Sequence, residues 1–198
     1  PGATALGSHY INLYYNNSVS SSEFSVSYGH IAGSGSRDYT TGVGGHGYSP
    51  SKVIYNQYRQ LVFGDETQNF KFNGYESSDI HVINVARSRY KHALKAGSLN
   101  LKLNTAAEID FFTDDSITQT GSALTTNLGR QFNLVSGSDG VMLGSTLTQV
   151  SADGSNIGSG SFGFVYPEAG IIIFNGEALR QNGFNASTFV EGTAASTE

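Results

Sequence analysis

Four carboxylates fall within eight residues of this chain: Glu108, Asp110, Asp114 and Asp115. Two chemistries suit such a group. A hard divalent cation needs several oxygen ligands. Hydrolysis of a glycosidic bond needs two carboxyl groups converging in a cleft, and Glu168 is the one further candidate for that work. The spacing supports neither, because it is not the EF-hand pattern and no catalytic motif flanks it. The stretch "DGSN" at 153–156 is compatible with calcium in the same weak way. A solvated acidic turn is the simpler reading. The five histidines are His9, His30, His46, His81 and His92, and no two share metal-ligand spacing. His81, between Ile80 and Val82, reads as an ordinary, partly exposed strand histidine. There is no nucleophile elbow, Walker loop or dinucleotide fingerprint, and "GSGSFG" lacks the Lys-Ser/Thr that closes a phosphate loop. No catalytic, cofactor-binding or metal-ligating residue is assigned, and the chain reads as a non-enzyme.

Two groups of residues suit contact with another protein. Arg87, Arg89, Lys91 and Lys95 form a small basic cluster on a chain whose net charge is −5. Such a cluster either faces water or pairs with the acidic turns of a neighbouring subunit. The second group lies in "SPSKVIYNQYRQLVFGDE", residues 49–66, which reads as a capped helix. Ser49 suits the N-cap, Pro50 the first helical position and Gly64 the end. Ile54, Tyr58, Leu61 and Val62 share one helical face and are expected to pack inward. Tyr55, Asn56, Gln57, Arg59 and Gln60 then point away, and tyrosine and arginine are enriched where proteins meet.

These residues must be positioned by a β-rich scaffold. Residues 8–15, 23–31, 68–73, 79–85, 98–104, 108–116, 131–137, 162–167 and 170–175 carry strand patterns. Leu99, Leu101 and Leu103 alternate with Asn100 and Lys102. Gly170–Phe174 has no polar residue, which predicts a central strand. "ARSRYKHALKAG" reads as a second short helix or turn, and "GEALRQNG" as one helical turn. The expected fold is mainly β, an antiparallel sandwich or distorted barrel with one or two short helices at 48–63 and 86–95. Residues 1–190 are expected to form a single domain with Gly-rich loops at 32–47 and 144–161, and 191–198 a flexible tail.

Composition agrees with that class. Apolar residues make up 38% and charged residues 14%, with 25 glycines and 23 phenylalanines and tyrosines. Low charge argues against a disordered chain. The absence of a basic block excludes binding to nucleic acid through phosphate neutralisation. No Cys is present, so no disulfide framework forms. No apolar run approaches the roughly 20 residues that cross a bilayer, and no signal peptide is visible. The start at Pro1 rather than Met reads as a processed or trimmed chain.

Three segments carry a resemblance. "YSPSKVIYNQYRQLVFGDE" (48–66), "DIHVINVARSRYKHALKAGSLNLKLN" (79–104) and "YPEAGIIIFNGEAL" (166–179) resemble segments of large virion structural proteins of T4-like tailed bacteriophages, particularly those of marine cyanobacteria. In those proteins a "YNQYRQLVFG" helix precedes a strand ending "INVAR", a "LKPGSLNL"-type turn and strand, and a late "YP..GIII.N" strand. The resemblance implies a non-enzymatic structural subunit of a phage particle, in the tail or baseplate, with capsid decoration as the alternative position. It implies other copies of the chain and other virion proteins as partners, neither nucleic acid nor membrane, and assembly into virions in the host bacterial cytoplasm. Two rivals come from the residues: a module recognising host-surface glycans through Tyr and Asn, and a hydrolase of surface polysaccharide.

Overall fold

A strand that is apolar on both sides must have protein on both sides. Ile171–Asn175 meets that condition, with all five residues buried. It lies in mid-sheet as its composition predicts, antiparallel to Asp79–Val85 on one side and Gly163–Tyr166 on the other. The computed structural model describes residues 2–5, 10–14, 22–32, 51–65, 67–72, 74–104, 109–118, 123–142 and 162–181. The tail at 191–198, the Gly-rich stretch 144–161 and all but the first residue of 32–47 lie outside these, as do Ser49, Pro50, His9, His46 and Glu108.

In chain order the strands are β1 (Gly2–Ala5), β2 (Tyr10–Tyr14), β3 (Ser22–His30), β4 (Lys71–Phe72), β5 (Tyr75–Glu76), β6 (Asp79–Val85), β7 (Leu101–Asn104), β8 (Ile109–Asp114), β9 (Leu124–Thr126), β10 (Gly129–Ser138), β11 (Val141–Met142), β12 (Gly163–Tyr166) and β13 (Ile171–Asn175). Two α-helices are described, α1 (Ser51–Phe63) and α2 (Gly176–Gln181). All strands except the β4–β5 hairpin join one sheet in the order β1-β2-β3-β6-β13-β12-β10-β8-β7, and β9 and β11 pair with the long β10. Every pairing is antiparallel, and the sheet curls into a half-barrel. The fold is mainly β, as the sequence predicts.

Register decides which residues share a face, because directly paired positions point the same way. On one face Phe24, Val26, Ile83, Ile172, Phe174, Val165, Phe132, Leu134 and Phe112 pack together, joined by Ala178 and Leu179 of α2 and by Leu99, Leu101 and Leu103. On the other, Ile80, Val82, Ile171, Ile173, Phe164 and Tyr166 meet Tyr55 and Val62 of α1 and Phe70 and Phe72 beside the hairpin. The alternation read at 98–104 is therefore real, with its leucines turned to the core.

Two elements differ from expectation, and the first is the strand read at 68–73, which shortens to Lys71–Phe72. In the second, helix does not run over 86–95; it shortens to a single 3₁₀ turn, Arg87–Arg89, after which Tyr90 is extended. The cause is tertiary. The Tyr90 hydroxyl donates to the Ala169 carbonyl at 2.8 Å, and the Leu94 amide donates to the Pro167 carbonyl at 2.9 Å. These bonds tie the segment across the β12–β13 turn and leave no room for a second helical turn. The reading of one helical turn at "GEALRQNG" matches α2, whose start is capped by Asn175: its Oδ1 accepts from the Glu177 amide at 3.1 Å and the Ala178 amide at 3.4 Å.

Candidate interaction surface

Helix α1 docks where β3 offers a glycine. A Cβ on Gly29 would lie 2.8 Å from the Tyr55 nitrogen, so only a residue without a side chain permits this approach. The contact sets the helix rotation. The buried stripe runs through Ser51, Tyr55, Arg59 and Val62, one residue round from the predicted Ile54, Tyr58, Leu61 and Val62. One residue is a turn of about 100°. Leu61 consequently faces solvent at 40% exposure, and Val53 at 42%.

Two of the five helix residues predicted to point outward are therefore corrected. Tyr55 is completely buried. Its hydroxyl donates to the Ser77 carbonyl at 2.7 Å and accepts from the Phe70 amide at 3.2 Å. Arg59 is 8% exposed, its guanidinium 5.1 Å over the Tyr55 ring. It donates from Nη1 to Asn69 Oδ1 at 2.7 Å and from Nη2 to Asn56 Oδ1 at 2.8 Å. Both side chains have an apolar body and a polar tip, so they bury when the tip meets backbone or amide partners. Gln57 and Gln60 do face solvent.

The basic cluster lies on the strap that replaces the second helix. Residues 85–99 are bonded to the sheet at several points. The Val85 amide donates to the Gly170 carbonyl at 2.8 Å and the Ala86 amide to the Glu23 carbonyl at 2.9 Å. At the far end the Gly97 amide donates to Asp114 Oδ2 at 2.7 Å and the Leu99 amide to Asp114 Oδ1 at 3.4 Å. Arg87 stacks 4.6 Å over the Tyr90 ring and donates to the Tyr90 carbonyl at 2.6 Å. Tyr90 in turn lies over Gly170, where φ is +68° and a Cβ would fall 2.6 Å from the ring. Arg89 is ion-paired with Glu23 of β3. Arg87, Lys91, His92 and Lys95 are exposed, and the last three make no ion pair among the described residues. The result is a row of cations on backbone that is held in place.

Three of the candidate carboxylates, Asp114, Asp115 and Glu168, make structural bonds. Asp114 and Asp115 are both buried. Asp114 borders a cleft of about 160 Å³ with Lys95 and Asn100, but its two oxygens already hold the strap amides. Asp115 accepts from the Asn133 amide and from Asn133 Nδ2, each at 2.8 Å, which locks β10 to the end of β8. Glu168 pairs with Arg130 at 2.7 Å. Partial burial raises its carboxyl, but bonds from Arg130 and its own backbone outweigh that and hold it below the usual range. A general acid needs the opposite shift. Asp110 belongs to β8, but its side chain is outside the described residues. Among the described residues no three His, Asp or Glu gather to hold a metal, and no helix is long and apolar enough to cross a membrane.

Comparison with known protein families, with curated proteins and with solved structures finds no match.

Two features escaped sequence reasoning. Tyr90 is the pivot of the strap, and only its position between two arginines and a lysine hinted at stacking. His81 is buried, not partly exposed. It stands opposite Tyr28 in the β3–β6 register with ring centroids 5.1 Å apart, on the face that carries Ile83, Ile172 and Phe174.

Proposed function

We propose that this chain is a non-enzymatic structural subunit of a tailed phage particle, placed in the tail or baseplate and working through repeated contacts with its own copies and other virion proteins. The observation that carries the reading is the cationic strap. Two exposed lysines and a stacked arginine stand on backbone that is already ordered, so a partner meets them with little further loss of freedom. On an acidic protein such a row selects an acidic protein surface by charge complementarity. The outer edges of β1 and β7 support the same reading, since neither pairs with a further strand among the described residues. Open edges suit association by strand addition. The three resembling segments supply the phage assignment, and two of them meet in the strap and the β12–β13 turn.

The test is immunogold electron microscopy of purified particles with antibody raised against this chain. Label on the tail or baseplate is the expected result. Label on the head keeps the virion reading and moves the chain to capsid decoration. A particle fraction without label overturns the proposal.

A further inference from the structure

A groove of about 330 Å³ opens on the face covered by α1, between the end of that helix and the β9–β10 hairpin. It lies at the low end of the size range of small-ligand sites, about 300–1,000 Å³. Its apolar surfaces are Phe63, the edge of Phe164 and Leu124. Leu124 is 62% exposed. It pairs directly with Gln131 in the β9–β10 register, so the two side chains stand together at the rim.

The polar groups are amides, and one is fixed from behind. The hydroxyl of fully buried Tyr166 donates to Gln131 Oε1 at 2.8 Å. Burial pushes the Tyr166 phenol up, so it stays a donor at any ordinary pH. The bond assigns the amide: its oxygen is taken, and its NH₂ keeps two donors with no partner among the described residues. Gln68 also lines the groove with both ends of its amide unbonded there. Asn69 and Lys71 complete the wall, and Glu76 holds both: it accepts from Asn69 Nδ2 at 2.9 Å and pairs with Lys71 at 3.2 Å. The Lys71 charge is thus answered within the protein, and no carboxylate lines the groove among the described residues.

We propose that this groove binds a neutral oligosaccharide. Its uncommitted groups are carboxamides, which give and accept hydrogen bonds in pairs as vicinal hydroxyls require. Beside them lies an apolar wall for the C–H face of a sugar ring. An anionic ligand finds no unpaired cation, and a purely apolar one leaves the Gln131 and Gln68 amides unsatisfied. The site is separate from the cationic strap and does not depend on where the chain resides.

The test uses the whole chain on an array of bacterial surface oligosaccharides, followed by saturation-transfer NMR with the strongest neutral binder. The expected result is transfer to the protons of one ring face, with affinity lowered about tenfold by Gln68→Ala and by Leu124→Asp. Both residues are exposed, so these variants should keep the wild-type melting temperature. Gln131→Ala should abolish binding, although it also strips the partner from a buried hydroxyl. Absence of any neutral binder overturns the proposal, as does binding that Gln68→Ala and Leu124→Asp leave unchanged.

Discussion

The Tyr55 hydroxyl joins three chain segments, because α1 delivers it to the Ser77 carbonyl and the Phe70 amide at once. Tyr55→Phe keeps the ring and strips both backbone groups of this partner in a buried site. The expected cost is about 2 kcal/mol, read as a lower urea midpoint at unchanged slope. The tyrosines also set a response to alkali. Burial raises the phenols of Tyr55, Tyr58 and Tyr166 above the ordinary value of 10.0. A pKa raised in the folded state means the unfolded chain loses its proton first. Stability from these groups is therefore complete below pH 10.0 and falls as pH rises beyond it. Thermal melts should be flat through neutral pH and drop steeply above that value. Replacing Tyr166 with Phe should make the drop shallower.

At the scale of elements, the approach of α1 to β3 is the contact most sensitive to one atom. Gly29→Ala places a methyl against helix backbone rather than a movable side chain. The helix must lift from the sheet, at a cost of about 1–3 kcal/mol. Tyr55 and Phe70 form an edge-to-face pair at 5.4 Å that moves with it. Near-ultraviolet circular dichroism should weaken while far-ultraviolet signal stays, since the helix shifts without melting. The strap obeys a different logic. It has almost no regular structure, yet Asp114 holds its C-terminal end and the turn after β12 holds its middle. Order there comes from side chains answering backbone groups, with both oxygens of the buried Asp114 carboxylate bonded to strap amides.

At the scale of the whole molecule, charge is unevenly arranged. Asp79, Asp114 and Asp115 are buried, while Arg87, Lys91 and Lys95 stand outside. Association through the strap should weaken with ionic strength, because exposed charges are screened beyond about 10 Å at 0.1 M salt. Lys91→Glu and Lys95→Glu together should prevent co-sedimentation of the chain with particles. The same variant should change stability by no more than about 0.5 kcal/mol per site. Loss of co-sedimentation with an unchanged melting temperature identifies a binding surface; equal co-sedimentation removes the strap from the contact.

Much of the fold follows from the sequence alone, through local period. Alternation marks β7 and turns its leucines to the core, because a strand has only two sides; in β3 it separates the faces but not their burial, since Ser27 on the polar side is buried. The unbroken apolar run of β13 dictates a place in the middle of the sheet. The helical period within 51–63 dictates a helix there. Shorter strands such as β9 and β11 leave too few residues for a period to show. Tertiary structure alone decided the rest. The rotation of α1 depends on a glycine more than twenty residues away in another strand, and no helical pattern within α1 encodes it. Segment 86–95 has helix-forming residues, but bonds to Ala169 and Pro167 outweigh a marginal local preference. Asp114 and Asp115 look alike in sequence as candidate acids. Their use was settled by the strand ends and amides brought against them, since a buried carboxylate takes the donors that the fold supplies.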